Sequence, residues 1–402
     1  MIPYGRQLIE EDDIAAVVEQ LRSDWLTQGP TVARFEEALC ELTGARYAVA
    51  VSSGTAALHL AALAAGVRSG DTGVTSDVTF VASANCIRYA GGSPRLVDVD
   101  PRTGHISLEA LRKVVAELKG QGKPPKVIVP VDFSGSAADL EGVRAIADSV
   151  GAAVIEDAAH SLGATYTARD GATRRAASCT HTQFAILSFH PVKHITTGEG
   201  GAICTNDEGA YRTLLELRTH GITKDPAKLK QVDGPWYYEQ QSLGFHYRLT
   251  DLQCALGLSQ AKKLGRFVAR RRAIAARYDR AFSEAGFSSA LRPLGQPPAT
   301  VSSYHLYVIG LVQRAGETLT QVAARRRALY DGLRERGVGP QVHYIPVHRQ
   351  PDFVTAGLSQ GEFPGADTYY AGCLSLPMFP GMTDGDVDRV VDAVGSVLQK
   401  TS

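Results

Sequence analysis

Short apolar segments with the composition of β-strands alternate with helical segments through the first half of this 402-residue chain. Strands are predicted at residues 47–51, 96–99, 127–131 and 152–155, and helices at residues 56–65 and 140–150. This β–α–β–α order predicts an α/β fold, in which helices cover a mainly parallel sheet. Ligands bind such sheets at the carboxyl ends of the strands.

A second, smaller unit is predicted at the end of the chain. A helical region begins near Thr250, a Pro- and Ser-rich linker follows at residues 293–303, and a smaller α+β unit comes last. We predict a large domain over residues 1–250, with the N-terminal segment included, and a smaller C-terminal α+β domain over residues 251–402. The long polar segment 223–242 contains Trp236-Tyr237-Tyr238, which is typical of a functional flap.

Composition argues against several classes of protein. The 42 basic and 42 acidic residues leave no net charge, which argues against nucleic acid and anionic membranes as partners. The six cysteines show no zinc-like spacing, so we expect reduced thiols in a cytoplasmic protein and no metal site. Neither a signal peptide nor a membrane-spanning helix is expected. The arginine runs 270–272 and 325–327 are expected on solvated helix faces.

A single lysine lies between an apolar segment and a glycine-rich turn. The predicted strand 184–189 leads to Lys193, and the turn Gly198-Glu199-Gly200-Gly201 follows. The strand 152–155 ends in Glu156-Asp157, with His160 one turn later. Buried strands that deliver a lysine and an acid suit pyridoxal phosphate (PLP), which forms a Schiff base with lysine and pairs its ring nitrogen with an aspartate.

Each of these signals has a plainer structural interpretation. The turn Ser52-Ser53-Gly54-Thr55 at the start of a helix is either a phosphate cradle or an ordinary serine cap. Phe80 either stacks on a planar ring or packs in the core, and Asp157 either pairs with the ring nitrogen or caps a helix. His160 supports the aspartate or the ring hydroxyl, or it is a core histidine. Lys193 is a Schiff-base lysine or a surface lysine, and its apolar flank favours the first. The order and spacing of the group support the cofactor interpretation.

The chain resembles the DegT/StrS family of PLP-dependent sugar aminotransferases, which have the PLP-dependent transferase fold of type I. The resemblance runs nearly end to end. It rests on the following segments: Gly54-Thr55, Gly70-Asp71, Thr79-Phe80-Val81-Ala82, Glu156-Asp157-Ala158-Ala159-His160, Ser188-Phe189-His190 through Lys193, Gly198-Glu199-Gly200-Gly201-Ala202, Arg218-Thr219-His220-Gly221, Arg248-Leu249-Thr250-Asp251 and Ala255-Leu256-Gly257-Leu258.

Further segments resemble the members that aminate C4 of a UDP-linked 4-keto-6-deoxy-N-acetylhexosamine in pseudaminic acid biosynthesis, with L-glutamate as the expected donor. They are Ile2-Pro3-Tyr4-Gly5-Arg6, Trp25-Leu26-Thr27-Gln28-Gly29, Gly234-Pro235-Trp236-Tyr237-Tyr238 and Val342-His343-Tyr344-Ile345-Pro346-Val347-His348. An aminotransferase for another nucleotide-linked keto sugar is the alternative. His343 and His348 do not form a recognisable metal triad, and we expect structural or substrate-loop roles for them.

The resemblance implies a role for each matching residue. Lys193 would hold PLP covalently and move the proton, Asp157 would pair with the pyridine nitrogen, and His160 would lie near the ring hydroxyl. Phe80 would stack on the ring, while Gly54, Thr55 and Ser188 would hold the phosphate. A homodimer is also implied, because a G-x-N-x-R segment of the neighbouring subunit completes the site in this family.

The sequence departs from the family pattern at three places. The G-x-N-x-R segment is Gly244-Phe245-His246-Tyr247-Arg248, so His246 replaces asparagine at the expected phosphate contact. A histidine still donates a hydrogen bond, but its reach and charge differ. Asp77 stands where the family usually has proline, and Ser53-Gly54-Thr55 replaces a frequent S-A-T.

Two other functions remain as alternatives. A PLP-dependent sugar dehydratase of the same fold would carry histidine in place of the Schiff-base lysine, which Lys193 argues against. A non-catalytic regulator or ligand sensor would not need both Lys193 and Asp157. The sequence therefore predicts an aminotransferase with PLP as cofactor.

Overall fold

The computed structural model describes residues 1–399. The strands are, in chain order, β1 (Tyr47–Val51), β2 (Thr72–Ser76), β3 (Ser93–Val97), β4 (Val127–Val129), β5 (Ala153–Asp157), β6 (Thr165–Thr167), β7 (Thr173–Arg175), β8 (Phe184–Ser188), β9 (Gly201–Thr205), β10 (Ile222–Thr223), β11 (Glu239–Gln240), β12 (Leu291–Pro293), β13 (Thr300–Val301), β14 (Tyr307–Leu311) and β15 (Cys373–Leu376). The helices are α1 (Glu11–Leu21), α2 (Pro30–Thr43), α3 (Gly54–Ala64), α4 (Ala82–Tyr89), α5 (Leu108–Gly120), α6 (Leu140–Asp148), α7 (Glu208–Arg218), α8 (Asp251–Ala261), α9 (Leu264–Glu284), α10 (Leu319–Glu335), α11 (Pro351–Thr355), α12 (Pro364–Gly372) and α13 (Asp384–Leu398).

Seven strands form the main sheet in the order β1-β9-β8-β5-β4-β2-β3. Four neighbouring pairs are parallel, namely β8–β5, β5–β4, β4–β2 and β2–β3. Strand β9 runs antiparallel to both β8 and β1. The sheet is therefore mainly parallel, as the alternation of strands and helices predicted. Because most strands run in one direction, their carboxyl ends meet along one edge of the sheet.

Helices cover both faces of this sheet. In β1, Val49 and Val51 pack with residues of α3, whereas Ala48 and Ala50 on the opposite face pack with residues of α2. Side chains alternate between the faces of a strand, so a strand buried on both faces becomes apolar at nearly every position. This double burial explains the continuous apolar segments that identified the strands in the sequence.

A smaller antiparallel sheet lies in the C-terminal part of the chain. Its strand order is β12-β14-β15, and α9, α10 and α13 pack against it around a core that includes Tyr278, Phe282, Val387 and Val394. The helix α8, which begins at Asp251, packs against α1 and α2 of the N-terminal region. The division of the chain at residue 250 stays a prediction. Within residues 1–399, no helix combines the length and apolarity needed to cross a bilayer.

One of the two arginine runs does not lie on a solvated helix face, so that expectation was wrong for its central residue. Arg271 in α9 is completely buried, and its Nη1 donates hydrogen bonds to the backbone carbonyls of Tyr304, His305 and Met378 at 3.2, 3.1 and 3.0 Å. Burial of a cation is costly unless its donors find partners. Three carbonyls from two separate segments bond Nη1 and join α9 to the end of the small sheet where the start of β14 pairs with the end of β15. Nε and Nη2 are buried without a hydrogen-bond partner among residues 1–399.

A pair of carboxyl groups is buried on the side of β5 that faces away from Asp157. Glu156 and Asp132 have exposed fractions of 1% and 0%. Glu156 accepts a hydrogen bond from Ala177 N at 2.8 Å, and Asp132 accepts one from Ser161 Oγ at 2.6 Å. Burial raises the pKa of Asp132 to about 6, and burial together with the charge of Asp132 raises the pKa of Glu156 well above its usual value. Glu156 is therefore the protonated member of the pair at neutral pH.

Replacement of Glu156 by glutamine tests this protonation state. A neutral amide resembles a protonated carboxyl, so we expect Glu156→Gln to change the free energy of unfolding by less than about 1 kcal/mol near pH 4, where the carboxyl is protonated in the folded chain and largely so in the unfolded chain. In the native sequence, the stability that the raised pKa provides is present at low pH and is lost as pH rises through the folded-state pKa. In urea unfolding experiments the variant should lose less stability than the native protein as pH rises from about 4 to 7, and it should be the more stable of the two at pH 7.

Glu36→Gln is the matched control. Glu36 accepts a 2.6 Å hydrogen bond from Arg218 Nη1, so its neutralisation removes the charge partner of a largely buried guanidinium, which keeps only the Ala50 carbonyl, and should cost about 3 kcal/mol. Equal losses of stability at pH 7 in the two variants would contradict a protonated Glu156.

Candidate active site

A cavity of about 400 Å³ opens at the carboxyl edge of the main sheet. Several strands deliver residues to it from their ends. Asp157 and Ser188 are the last residues of β5 and β8, Gly54 begins α3 after β1, and Phe80 lies between β2 and α4. Seven sequence-predicted residues line this one cavity: Gly54, Thr55, Phe80, Asp157, His160, Ser188 and Lys193.

Lys193 lies in the connection between β8 and β9. Its backbone N–H donates to His190 O at 2.8 Å, and Thr197 N donates to Phe189 O at 3.1 Å, so hydrogen bonds hold the connection in a compact turn. Burial lowers the pKa of the Lys193 amine to about 8, opposed by the charge of Asp157 and assisted by that of Arg271. About a tenth of such an amine is neutral at pH 7, and the neutral form is the one that attacks a carbonyl carbon.

Asp157 is held by a short chain of hydroxyl groups. Ser83 Oγ donates to Asp157 Oδ2 at 2.5 Å, and the Ser83 hydroxyl lies 2.7 Å from Thr79 Oγ1. The backbone N–H of Ala159 donates to Asp157 Oδ1 at 3.2 Å. Burial raises the pKa of Asp157, while these donors and the charge of Lys193 act in the opposite direction and favour the carboxylate.

His160 faces the same cavity with one ring nitrogen bonded and the other free. Its Nε2 lies 3.2 Å from the hydroxyl oxygen of Tyr344, and its buried Nδ1 has no hydrogen-bond partner among residues 1–399. Burial and the nearby charge of Lys193 lower the pKa of His160 well below its usual value, so the ring is neutral. A neutral, buried histidine with an unpaired nitrogen is ready to bond a ligand.

The turn at Ser53 and Gly54 lies close to the ends of β8 and β9. Ser53 Oγ accepts a hydrogen bond from Ala56 N at 3.0 Å, which is the serine cap considered for this turn. A Cβ atom on Gly54 would lie 3.0 Å from Ser188 Cβ, and one on Gly201 would lie 2.5 Å from the Ser53 backbone. Glycine at both positions lets three elements meet at the N-terminus of α3, where backbone N–H groups favour an anion.

His246 is the exception among the predicted residues. Its side chain is exposed, its backbone pairs with Thr219, and its ring lies 5.5 Å from that of His220. It does not line the cavity of its own chain. Its expected contact from a neighbouring subunit stays a prediction.

Several cavity residues were not assigned by sequence reasoning. Ser83 and Thr79 support Asp157, while Tyr4, His305 and Tyr344 contribute to the wall. Thr79 and Ser83 belong to the segment in which only Phe80 was singled out. Thr79 precedes α4 and Ser83 lies on its first turn, and their spacing of four residues across the start of this helix was the available signal. Tyr344 lies in a segment similar to the family, but its contact with His160 spans 184 residues of chain.

The residues present fit PLP. The cavity offers an amine at Lys193, a carboxylate at Asp157 and an unpaired buried nitrogen at His160 Nδ1. Phe80 presents its ring to the cavity with an exposed fraction of 57%. The start of α3 and the Ser188 hydroxyl offer donors to a phosphate group.

Comparisons with known proteins agree with this geometry. The model of the DegT/DnrJ/EryC1/StrS aminotransferase family matches residues 7–395. The spore coat polysaccharide biosynthesis protein SpsC of Bacillus subtilis is 37% identical over 400 residues, which cover 99% of this chain and 97% of SpsC. Helicobacter pylori PseC, an aminotransferase of pseudaminic acid biosynthesis, superposes with a TM-score of 0.87 at 28% identity, with 99% of each chain covered. The PLP form of Spr1654 from Streptococcus pneumoniae, a sugar aminotransferase by its description, superposes with a TM-score of 0.86 at 26% identity and covers 100% of this chain and 99% of its own.

These comparisons confirm the predicted fold of type I and the predicted class of enzyme, a sugar aminotransferase that uses PLP. The match extends over both the main sheet and the smaller C-terminal sheet. The chain belongs to the DegT/DnrJ/EryC1/StrS aminotransferase family.

Proposed function

We propose that this protein transfers the amino group of L-glutamate to C4 of a UDP-linked 4-keto-6-deoxy-N-acetylhexosamine, as in pseudaminic acid biosynthesis. The proposed transfer chemistry is supported by one observation, that Lys193, Asp157 and His160 line the same cavity. The similarity to PseC over 99% of both chains supports the choice of sugar, together with the N-terminal and 342–348 segments. In the balanced reaction, glutamate becomes 2-oxoglutarate and an amine replaces the keto oxygen of the sugar.

Each cavity residue has a proposed part in this reaction. PLP, when bound, supplies an aldehyde that condenses with amines and a ring that accepts electrons from the substrate carbon. Lys193 holds the cofactor and, when its amine is free, moves a proton as general base and acid. Asp157 keeps a proton on the ring nitrogen through its carboxylate.

The remaining residues bind and orient the cofactor. His160 would bond the ring hydroxyl through Nδ1, which is unpaired among residues 1–399, while its opposite nitrogen is held by the Tyr344 hydroxyl. Phe80 lies against the ring, and Gly54, Thr55 and Ser188 donate to the phosphate. These assignments match donors to the chemistry of the group that they would bind.

A product assay tests the proposal directly. Purified protein is mixed with PLP, L-glutamate and the UDP-4-keto-6-deoxy-N-acetylhexosamine, and the product is identified by mass and NMR. A 4-amino sugar supports the proposal, and its configuration identifies the pathway. Loss of water without amine transfer would instead favour a dehydratase, and PLP binding without turnover of any keto sugar would favour a regulator.

The similarity to SpsC supports one alternative, an aminotransferase for another nucleotide-linked keto sugar that enters a polysaccharide. Formation of 2-oxoglutarate only with a different keto sugar would establish that alternative. We further infer a cytoplasmic location, because all six cysteines are free thiols.

Lys193→Ala tests the central residue. The side chain lies at the wall of a cavity, so its truncation should leave the unfolding temperature nearly unchanged. Turnover should fall by about a thousandfold or more, since both the attachment point and the proton carrier are lost. Borohydride reduction followed by peptide mass analysis should find PLP attached to residue 193 in the native protein and not in the variant. Lys262→Ala, which removes an exposed lysine in the turn after α8, should behave as the native protein, and full activity of Lys193→Ala would refute the assignment.

We further propose that two copies form a homodimer with an active site at the subunit interface. Among the described residues that line the cavity, Lys193 is the one lysine or arginine. A phosphate dianion is bound most firmly by additional charged or N–H donors. The partner's His246 and Arg248 are suitable donors, and the exposed apolar residues Trp236 and Leu243 in the preceding segment suit a subunit contact.

Mixed dimers test this shared site. His246→Ala should weaken PLP binding, as followed by fluorescence, because a phosphate donor is lost. When it is mixed with Lys193→Ala, each hybrid dimer contains one native site, formed by Lys193 of one chain and His246 of the other. Subunit exchange should restore about a quarter of native activity from two weakly active proteins. A mixture with only the summed activity of its components would place His246 in the same site as its own Lys193, or in none.

A further inference from the structure

Asp77 is a buried acid at the carboxyl end of β2, three residues before Phe80. It is completely buried, and its backbone N–H donates to Val97 O at 2.9 Å beside the end of β3. All of its other backbone and side-chain bonds go to one distant segment. Asp77 O accepts from Val347 N at 2.9 Å, Oδ1 accepts from His348 N at 2.8 Å, and Oδ2 lies 2.5 Å from His348 Nδ1.

These bonds orient the His348 ring as well as its backbone. Because Nδ1 faces a carboxylate oxygen, this nitrogen carries a proton and donates it. The ring stacks on Phe363 with centroids 4.7 Å apart and an interplanar angle of 14°, and Nε2 lies 3.4 Å from Asp367 Oδ1. His348 therefore has one carboxylate hydrogen-bonded at Nδ1, a second carboxylate near Nε2 and an aromatic ring on one face, and these contacts favour a single orientation.

The segment between His343 and His348 is anchored at both ends, and the two anchors differ. At its start, His343 Nδ1 lies 2.9 Å from Ser375 Oγ, and His343 O accepts a 2.6 Å hydrogen bond from the Tyr369 hydroxyl. Both partners belong to the C-terminal part of the chain. At its end, His348 is held by Asp77 of the main sheet, so this segment bridges the two parts.

The bridging segment forms part of the cavity wall. His343 and Tyr344 line the main cavity, and Tyr344 contacts His160. With Phe80, the residues from Val342 to Ile345 also line a second cavity of about 280 Å³ beside the first. A shift of the His348 anchor would therefore move the wall that lies between the two cavities.

We propose that Asp77 is a positioning residue for amino transfer to the sugar: through His348 it holds the segment 343–348, and with it Tyr344, against the cavity. The inference rests on the proposed function, since it assigns the sugar acceptor to the wall that this segment forms. Asp77 itself does not line the cavity and touches neither cofactor nor substrate. It acts only by setting the position of the cavity wall that segment 343–348 forms.

Asp77→Ala is the test, and its first measurement needs neither cofactor nor substrate. With Asp77 removed, His348 N and Nδ1 lose their acceptor, so backbone amides in peptides covering residues 342–350 should exchange with deuterium about tenfold faster in cofactor-free protein. Peptides from β4 and β5 should keep their protection. Unchanged exchange at 342–350 would overturn the proposal.

The second measurement separates the two halves of the reaction. The half-reaction with L-glutamate, followed by the absorbance of the bound cofactor without sugar, should change by less than about threefold in Asp77→Ala. The kcat/KM for the keto sugar should fall about tenfold or more, since the displaced wall no longer fits the acceptor. Equal losses in both half-reactions, or no loss with the sugar, would contradict a positioning role.

Asp98→Ala is the matched control. Asp98 follows β3, and its two carboxylate oxygens accept hydrogen bonds from Gly365 N and Ala366 N at 2.8 Å each. It thus ties the neighbouring strand end to α12 rather than to the bridging segment. Its loss should increase exchange near residue 365 and leave the kinetics with sugar within about twofold of native. A loss of kcat/KM for the keto sugar as large as that of Asp77→Ala would show a general effect of packing and would contradict the proposal.

A double variant identifies the route of the effect. If Asp77 acts through His348, then Asp77→Ala with His348→Ala should lower kcat/KM for the sugar no further than Asp77→Ala alone. Additive losses would overturn the proposed route. A native protein that aminates no keto sugar refutes the proposed function instead, whereas an active native protein with an unaffected Asp77→Ala refutes only the positioning role.

Discussion

The hydrogen bonding of the buried Asp157 carboxyl group at the end of β5 is the interaction on which the rest of the candidate active site depends. Burial alone would favour the protonated form of Asp157, in which it could not hold a proton on a pyridine nitrogen. Ser83, the Ala159 N–H and the charge of Lys193 offset that cost. Ser83 lies on the first turn of α4, two residues after Val81 at its N-cap. The connection from β2 to α4 therefore serves two purposes, because it presents Phe80 to the cavity and Ser83 to the acid.

Adjacent acids on β5 have opposite protonation states because the strand directs them to opposite faces. Asp157 faces hydroxyl and N–H donors and the Lys193 amine, which favour its charged form. Glu156 faces Asp132, a second carboxyl, and two like charges at short distance cannot both be ionised at low cost. The alternation of side chains along a strand thus lets one pentapeptide supply both a charged functional group and a neutral buried one.

The sequence alone predicted five of the seven strands of the main sheet and seven residues that line the cavity, but it did not predict β2 or the antiparallel strand β9. Strand β1 was predicted with its observed bounds, because a strand buried on both faces leaves a local, continuous apolar signal. The convergence of Lys193 and Asp157 followed from the same logic, since strand ends in a parallel sheet share one edge. The support of His160 by Tyr344 left no such signal, because it joins residues 184 positions apart. The burial of Arg271 was missed because a run of arginines on a helix gives no sign that carbonyl groups elsewhere will surround one of them.

Directional hydrogen bonds act together with a buried apolar cluster where the C-terminal part meets the carboxyl edge of the sheet. Asp77 and Asp98 end neighbouring strands, and each accepts two hydrogen bonds from a different segment of the C-terminal part. Apolar contacts tolerate sliding, whereas a carboxylate that binds two donors fixes both distance and angle. Asp77 stands where the family usually has proline, whose side chain has no acceptor. The segment Val342 to His348, one of those that resemble the members of pseudaminic acid biosynthesis, is therefore held in this chain by a residue that departs from the family pattern. If Asp77 has the proposed positioning role, two chains with the same fold and the same residues around the cofactor will differ in the acceptor they bind when the anchors of this wall differ.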